Sequence, residues 1–309
     1  MAKLIVARST DFSGTFLFRI DTIDFIAPAI ITFSGTQFYG NQISDNVHID
    51  GSSGTNRIVI NTGIQGFNGA GWTFSNWQSA DLVVVNGSNF GETLAGTIRN
   101  DEIHGNGGRD TIFGGAGDDV ISGGSGYDKL TGGAGIDWVS YEESLSAVNV
   151  NLSSNRVSGG DAAGDTISGF ENVRGGRGND ILTGNGGRNQ LQGDLGSDIL
   201  TGGAGADRFV FRIFEESRAG TSRDIITDFS RSQGDRIDFS RLDFDSFPFI
   251  WDGELRFIGS AAFDLAGDIR VVRSGSLTVV QVDFNGDGGA DLEIGLKGSY
   301  TLTEGDFIL

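Results

Sequence analysis

Residues 105–140 read GNGGRDTIF GGAGDDVIS GGSGYDKLT GGAGIDWVS, four nine-residue units without a slip. Asp110, Asp119, Asp128 and Asp137 fill the sixth slot, and Ile112, Ile121, Leu130 and Val139 fill the eighth. The frame runs backward through GTIRNDEIH from Gly96, with Asp101 and Ile103 in register, and GSNFGETLA from Gly87, with Glu92 and Leu94. A second block from Gly175 reads GGRGNDILT GNGGRNQLQ GDLGSDILT GGAGADRFV and puts Asp180, Asn189, Asp198 and Asp207 in the sixth slot. Ten units therefore fall into two arrays.

One apolar residue in nine cannot make a helical face, which needs one every three to four positions, and glycine opposes helix by about 1 kcal/mol per residue. The alternative is turn, strand, turn, strand, with glycine supplying positive φ and close backbone approach. Two repeats then make one coil of an all-β parallel β-roll, or β-solenoid, and the eighth-slot residues fill its thin core. Turns of alternate repeats stack, so Asp101, Asp119 and Asp137 line one edge and Glu92, Asp110 and Asp128 the other. Carboxylates stacked at the strand spacing of about 4.8 Å repel unless a cation lies between them. Calcium fits, because it takes six to eight oxygens and glycine turns expose their carbonyls. Zinc prefers Cys and His, and the chain has no Cys and only His48 and His104. Magnesium resists giving up its water shell to a cage of carbonyls.

Composition points the same way. With 41 Asp plus Glu against 22 Lys plus Arg, the net charge of -19 repels nucleic acid and anionic membranes and attracts cations. The 51 glycines would suggest disorder, but 38% apolar residues with 23 Phe are core material, so the glycines serve geometry. No apolar run is long enough to be a transmembrane segment, and residues 1–30 lack the pattern of a cleaved secretory leader, so an export address is expected elsewhere.

The repeats resemble the RTX (repeats-in-toxin) family, whose consensus is GGxGxDxUx. The resemblance implies that slots one, two and four supply carbonyl ligands to Ca²⁺ beside the sixth-slot side chain. In the first array these are Asp101, then Gly105, Gly108 and Asp110, then Gly114, Gly115, Gly117 and Asp119. Gly123, Gly124, Gly126 and Asp128 follow, and then Gly132, Gly133, Gly135 and Asp137. In the second array they are Gly175, Gly176, Gly178 and Asp180, then Asn189, then Gly193, Gly196 and Asp198, and finally Gly202, Gly203, Gly205 and Asp207. Counting stacked pairs gives up to four ions in the first array and up to two in the second. Glu92, one methylene too long, and Asn189, with one neutral oxygen, should make weaker sites.

Residues 141–174 break the period and read as a hairpin-like insertion, with the register returning at Glu171 and Val173. Before Gly87 the chain reads as strands, with alternation over Ile43 to Ile49 and Ile58 to Ile60 and an apolar Leu82 to Val85. Counting in nines places Asn56 and Ile58, and later Val83 and Val85, in slots six and eight. The solenoid is thus expected to begin before the acidic repeats, in a strand-rich N-terminal cap whose coils need no ion. Trp72 and Trp77 read as core and His48 as a surface strand residue.

The last hundred residues, through DIITDF, GDRIDFS and the terminal GDFIL, resemble the C-terminal domain of serralysin-type metalloproteases. That resemblance implies a C-terminal β domain closing the roll and an uncleaved export signal, here Asp306, Phe307, Ile308 and Leu309, read by type I secretion machinery. Asp283, Asn285, Asp287, Gly288 and Asp291 follow the start of an EF-hand loop, although Ile294 stands where its bidentate Glu would be. Asp224 and Asp235 are further candidates at the end of the roll. The expected regions are therefore 1–86, a repeat roll at 87–210 and a C-terminal domain at 211–309. No HExxH, G-x-S-x-G or GxxxxGK[ST] occurs, so the serralysin protease chemistry is not expected here. The reading is an extracellular Ca²⁺-binding protein acting in matrix, surface or host contact. The alternative is an enzyme of extracellular polysaccharide, such as an alginate epimerase or lyase, or an accessory module of one.

Overall fold

The computed structural model describes residues 2–15, 17, 20–34, 37, 43–64, 66–213, 215–242 and 254–309. Phe214, Asp243 and Phe244, which belong to the serralysin-like stretch, lie outside the described residues. The chain forms two compact units, Met1–Ser140 with Ala163–Phe170, and Tyr141–Ala162 with Glu171–Leu309. Among the described residues no helix is long and apolar enough to cross a membrane.

The first unit is a stack of parallel strands. Thr93–Ala95, Thr111–Ala116, Lys129–Ala134 and Thr166–Ser168 form one wall, and Leu82–Asn86, Asp101–His104, Val120–Ser122 and Trp138–Ser140 another. The register is that of alternate repeats: Leu94 lies beside Ile112 and Ile112 beside Leu130, while Ile103 lies beside Ile121 and Ile121 beside Val139. All six of these side chains are fully buried. A single inward residue per short strand suffices because successive strands stack their eighth slots directly on one another.

Parallel coils continue toward the N-terminus, where Arg57–Asn61 pairs with Leu82–Asn86 and with Ile30–Ser34. Here the nine-residue count slips. Val83 and Val85 do stand beside Asp101 and Ile103, in slots six and eight. One coil earlier, however, the residues beside Val83 and Val85 are Ile58 and Ile60, not Asn56 and Ile58. This coil is 25 residues long, against 18 between successive repeats on one edge, because its turns are longer than the glycine turns. Ile58 and Val83 are fully buried, so apolar side chains hold the slot that carboxylates hold later. Trp72 packs edge-on against Phe67 and Trp77 lies against Phe25 and Phe74, both tryptophans being buried. His48 faces outward among hydroxyls, its ring nitrogens 2.9 and 3.0 Å from Thr73 Oγ1 and Ser75 Oγ.

The second unit repeats the pattern. Asn172–Arg174, Gln190–Gln192, Arg208–Val210, Arg236–Asp238 and Phe307–Ile308 follow one another in parallel, and Val173 beside Leu191 marks the return of register. The insertion is a hairpin, Asn149–Asn151 antiparallel to Arg156–Ser158, laid in parallel against Ile181–Thr183. Ile199–Thr201 and Asp224–Ile226 extend that wall. Leu292–Lys297 then joins in parallel and turns the sheet antiparallel through Leu277–Asp283 and Asp268–Ser274.

Candidate metal centre

Beyond the first turn of each stack, the sixth-slot carboxylates fasten their coils to the ones before. Asp119 Oδ1 accepts the Asp101 N–H at 2.8 Å, and Asp110, Asp128 and Asp137 do the same for Glu92, Asp110 and Asp119 at 2.7, 2.8 and 2.9 Å. In the second unit Asp198, Asp207 and Asp224 take the N–H groups of Asp180, Asn189 and Asp198. The stacking expected along each edge is therefore present, carried by one carboxylate oxygen per coil.

The other oxygen divides the turns into two kinds. In the turn leading to Asp101 the second-slot residue Thr97 donates its N–H to Oδ2 at 2.5 Å, and Gly176 does so to Asp180 at 2.7 Å. Ser88 closes on Glu92 and Asn185 on Asn189 in the same way, both at 2.8 Å. The remaining turns are open. Their second-slot residues Asn106, Gly115, Gly124, Gly133, Asp194 and Gly203 are left-handed, with φ between 61 and 129°. The Oδ2 atoms of Asp110, Asp119, Asp128, Asp198 and Asp207 are buried without a hydrogen-bond partner. A buried carboxylate oxygen with no donor costs free energy, so some positive group belongs there. Each stack begins with a closed turn, at Glu92, Asp101, Asp180 or Asn189, and open turns follow.

Glycine leaves the room. A Cβ on Gly105 would stand 2.6 Å from Asp110 Oδ2, and one on Gly123 or Gly202 would stand 2.5 Å from the Asp128 or Asp207 oxygen. Gly114, Gly132, Gly175 and Gly193 are equally close to their own sixth-slot side chains. In slot four, a Cβ on Gly126, Gly135, Gly196 or Gly205 would run into the carbonyl of Gly108, Gly117, Gly178 or Gly187 one coil before. Carbonyl oxygens thus line the turns beside the carboxylates. No three His, Asp or Glu side chains converge on one point among the described residues. A cation here would take most of its ligands from the backbone, as a hard, oxygen-seeking ion of flexible geometry does.

Burial, followed by neighbouring carboxylates, raises the acids of the turns. Asp110 and Asp119 are pushed up to about 7, Asp207 to about 6 and Asp198 to about 8, from an ordinary 3.8. Asp101, in a closed turn, is also raised, by burial first and Asp119 after it. The arrangement therefore resists holding these charges without a compensating cation.

Beyond the arrays, Asp224 joins the Asp180–Asp198 stack, its Oδ1 on the Asp198 N–H at 2.8 Å and its Oδ2 without a partner. Asp235 extends the other stack, accepting from Asp207 N–H at 3.0 Å and from Ser230 N–H at 2.8 Å. The EF-hand-like loop differs in kind. Asp283 accepts from the N–H groups of Gly286 and Gly288, Asp291 from Phe284 and Asn285, and Asp287 from Gly289, so backbone donors face its carboxylates. Two acids were missed by sequence. Asp165 caps the Asp128 N–H at 2.8 Å across a 37-residue detour, although the signal Gly164, Asp165, Ile167 was there. Glu216 is buried with Oε1 unpartnered, and burial pushes it up to about 8. Nothing in FEESR distinguishes it from a surface acid.

The fold and these edges define a parallel β-roll of Gly-Asp repeats with carboxylate-and-carbonyl turns. Residues 86–139 match the RTX calcium-binding nonapeptide repeat family, in overlapping stretches 86–121, 95–130 and 104–139, and residues 160–309 match the peptidase M10 serralysin C-terminal family. The chain thus carries RTX repeats, which are calcium-binding motifs, together with a serralysin-type C-terminal region. Among solved structures it is similar to the AlgE6R3 subunit of the Azotobacter vinelandii mannuronan C5-epimerase, at 24% identity over 72% of this chain and 80% of that one, with a TM-score of 0.24. It is also similar to the extracellular lipase LipA of Serratia marcescens, at 15% identity over 74% of this chain and 40% of that one, with a TM-score of 0.26. No curated protein matches the chain.

Proposed function

We propose that the chain is a secreted calcium-binding protein whose repeat roll folds when Ca²⁺ fills the open turns, acting without catalysis in matrix, surface or host contact. The observation that carries this reading is the row of buried Oδ2 atoms without donors, each beside carbonyls of stacked glycine turns. The ligands are the sixth-slot carboxylates of Asp110, Asp119, Asp128, Asp137, Asp198 and Asp207 with the carbonyls of slots one, two and four. Asp224 ends one stack, and the closed turns at Asp101, Asp180 and Asn189 start theirs without an ion.

Ca²⁺ supplies the positive charge that lets these carboxylates ionise inside the roll. At the low calcium of a cytosol the acidic repeats stay unfolded and competent for type I export. At extracellular concentrations of about 10⁻⁴ to 10⁻³ M, ions neutralise them and folding follows. Residues 1–86 then act as the metal-independent cap and residues 211–309 as the closing domain with its C-terminal export signal.

Circular dichroism during a Ca²⁺ titration of chelator-treated protein tests the reading, with Mg²⁺ as control. A cooperative gain of β signal with Ca²⁺ and none with Mg²⁺ at equal concentration is the expected result. An unchanged spectrum would refute it.

A further inference from the structure

The C-terminal tail is the last rung of the second unit, and one arginine holds it there. Phe307–Ile308 pairs in parallel with Arg236–Asp238, the strand that directly follows Asp235, and Phe239 N–H donates to Ile308 O at 2.8 Å. Phe307 is buried and stacks on Phe239, ring centroids 6.2 Å apart. A two-residue strand has too few ladder bonds to hold by itself. Arg231 supplies the rest, with Nε on Asp306 Oδ1 at 2.6 Å, Nη1 on Thr301 O at 3.0 Å and Nη2 on Thr303 Oγ1 at 3.1 Å. Asp306 Oδ2 in turn accepts the Thr303 N–H at 2.6 Å and its hydroxyl at 3.0 Å, so the tail is folded into a single hook that the guanidinium grips.

Arg231 is placed by the stack of sixth-slot aspartates. It lies in the turn Ser230–Asp235, which closes on itself through Ser230 N–H to Asp235 Oδ2. Asp235 Oδ1 receives the Asp207 N–H, so this turn is seated on the open turn that ends at Asp207. If that open turn has no fixed shape, the seat for Asp235, and with it the aim of Arg231, is lost.

We infer that residues Thr301–Ile308 form a strap that Arg231 closes only once the Asp207 turn is ordered, so that calcium loading docks this stretch and buries Asp306 and Phe307. The inference rests on the calcium reading above.

The test is release of Phe307 by a carboxypeptidase, followed by intact mass on the full chain, with far-UV circular dichroism on the same samples. Leu309 is exposed and is not diagnostic. In the native-state regime such digestion follows the population of the undocked form. Wild type in Ca²⁺ should lose Phe307 at least about tenfold more slowly than in chelator, as expected for losing a charge-assisted grip. Arg231→Ala in Ca²⁺ should be digested like the chelated wild type while keeping the calcium-induced β signal. Asp306→Asn, which keeps the shape of the hook, should also release the tail and serves if Arg231→Ala does not fold. Equal digestion of wild type with and without Ca²⁺ in protein that does gain β signal overturns the strap but leaves the calcium reading intact. Full protection of both variants overturns the role of Arg231, whereas loss of the wild-type spectral response refutes the calcium reading itself.

Discussion

The coil at Asn56–Asp81 and the coil at Asp101–Asp119 solve one problem in two ways. In both, an aspartate on one coil accepts a backbone N–H from the coil before, at 2.6 Å from Asn56 and at 2.8 Å from Asp101. Asp81 then spends its remaining capacity on protein donors, the Gln78 N–H at 2.7 Å and the Asn56 amide at 3.2 Å. Asp119 has nothing on Oδ2. The earlier coil needs longer turns and buried Ile58 and Val83 to do without an ion. The later coil has only two glycine turns, and in the proposed reading an ion takes the place of the missing donors. The shorter turns leave Asp119 Oδ2 without the donors that Asp81 has, and metal-dependent folding is what the calcium reading derives from that difference.

The comparison breaks most sharply where an open turn is distorted. Gly115→Ala puts a side chain at φ 116°, against the Thr97 carbonyl. Left-handed strain alone costs about 1–2 kcal/mol, so the calcium midpoint should rise by about tenfold or more in a spectroscopic titration. Asp119→Asn comes next, because it keeps the Oδ1 bond to the coil before and removes the charge. A shift of about tenfold, equivalent to roughly 1.4 kcal/mol, is expected. The matched change Asp101→Asn, in a closed turn, should move the midpoint by no more than about twofold. Asp81→Ala should lower thermal stability by about 1–3 kcal/mol through its orphaned donors and leave calcium stoichiometry, read by equilibrium dialysis, unchanged.

Proton and ion should compete for the same oxygens. The folded pKa values of Asp110, Asp119, Asp198 and Asp207 lie above their unfolded value of 3.8. Their contribution to the metal-free roll is therefore full below about 3.8 and is lost as pH rises through 6 to 8. In chelator, β signal should be greater at pH 5 than at pH 8. With Ca²⁺ present the difference should shrink, and where acid pH has folded the metal-free roll, calorimetry in buffers of different ionisation enthalpy should register proton release on binding.

Much of this was legible in the chain. The unbroken period from Gly105 to Ser140 dictates a parallel roll, since no other structure presents Ile112, Ile121, Leu130 and Val139 to one core at that spacing. The same spacing placed the carboxylates on their two edges. Open and closed turns were not legible as such. Ser88 and Thr97 in slot two hint at closure, but Gly176 closes while Gly115 opens, because the shape of a turn depends on the coil beneath it and not on its own residues. The slip at Asn56 and Ile58 has a related cause, in that a nine-residue count carries no information once turns lengthen. Asp165 was hidden by its detour, and Glu216 by burial that only tertiary structure creates.

Hydrogen exchange read peptide by peptide, in chelator and in saturating Ca²⁺, tests the division between the two kinds of coil most directly. The account predicts that amides of residues 105–140 and 193–210 gain strong protection with the ion, while those of residues 57–86 are protected in both conditions. Protection of the repeat turns in chelator equal to that in Ca²⁺ would contradict it.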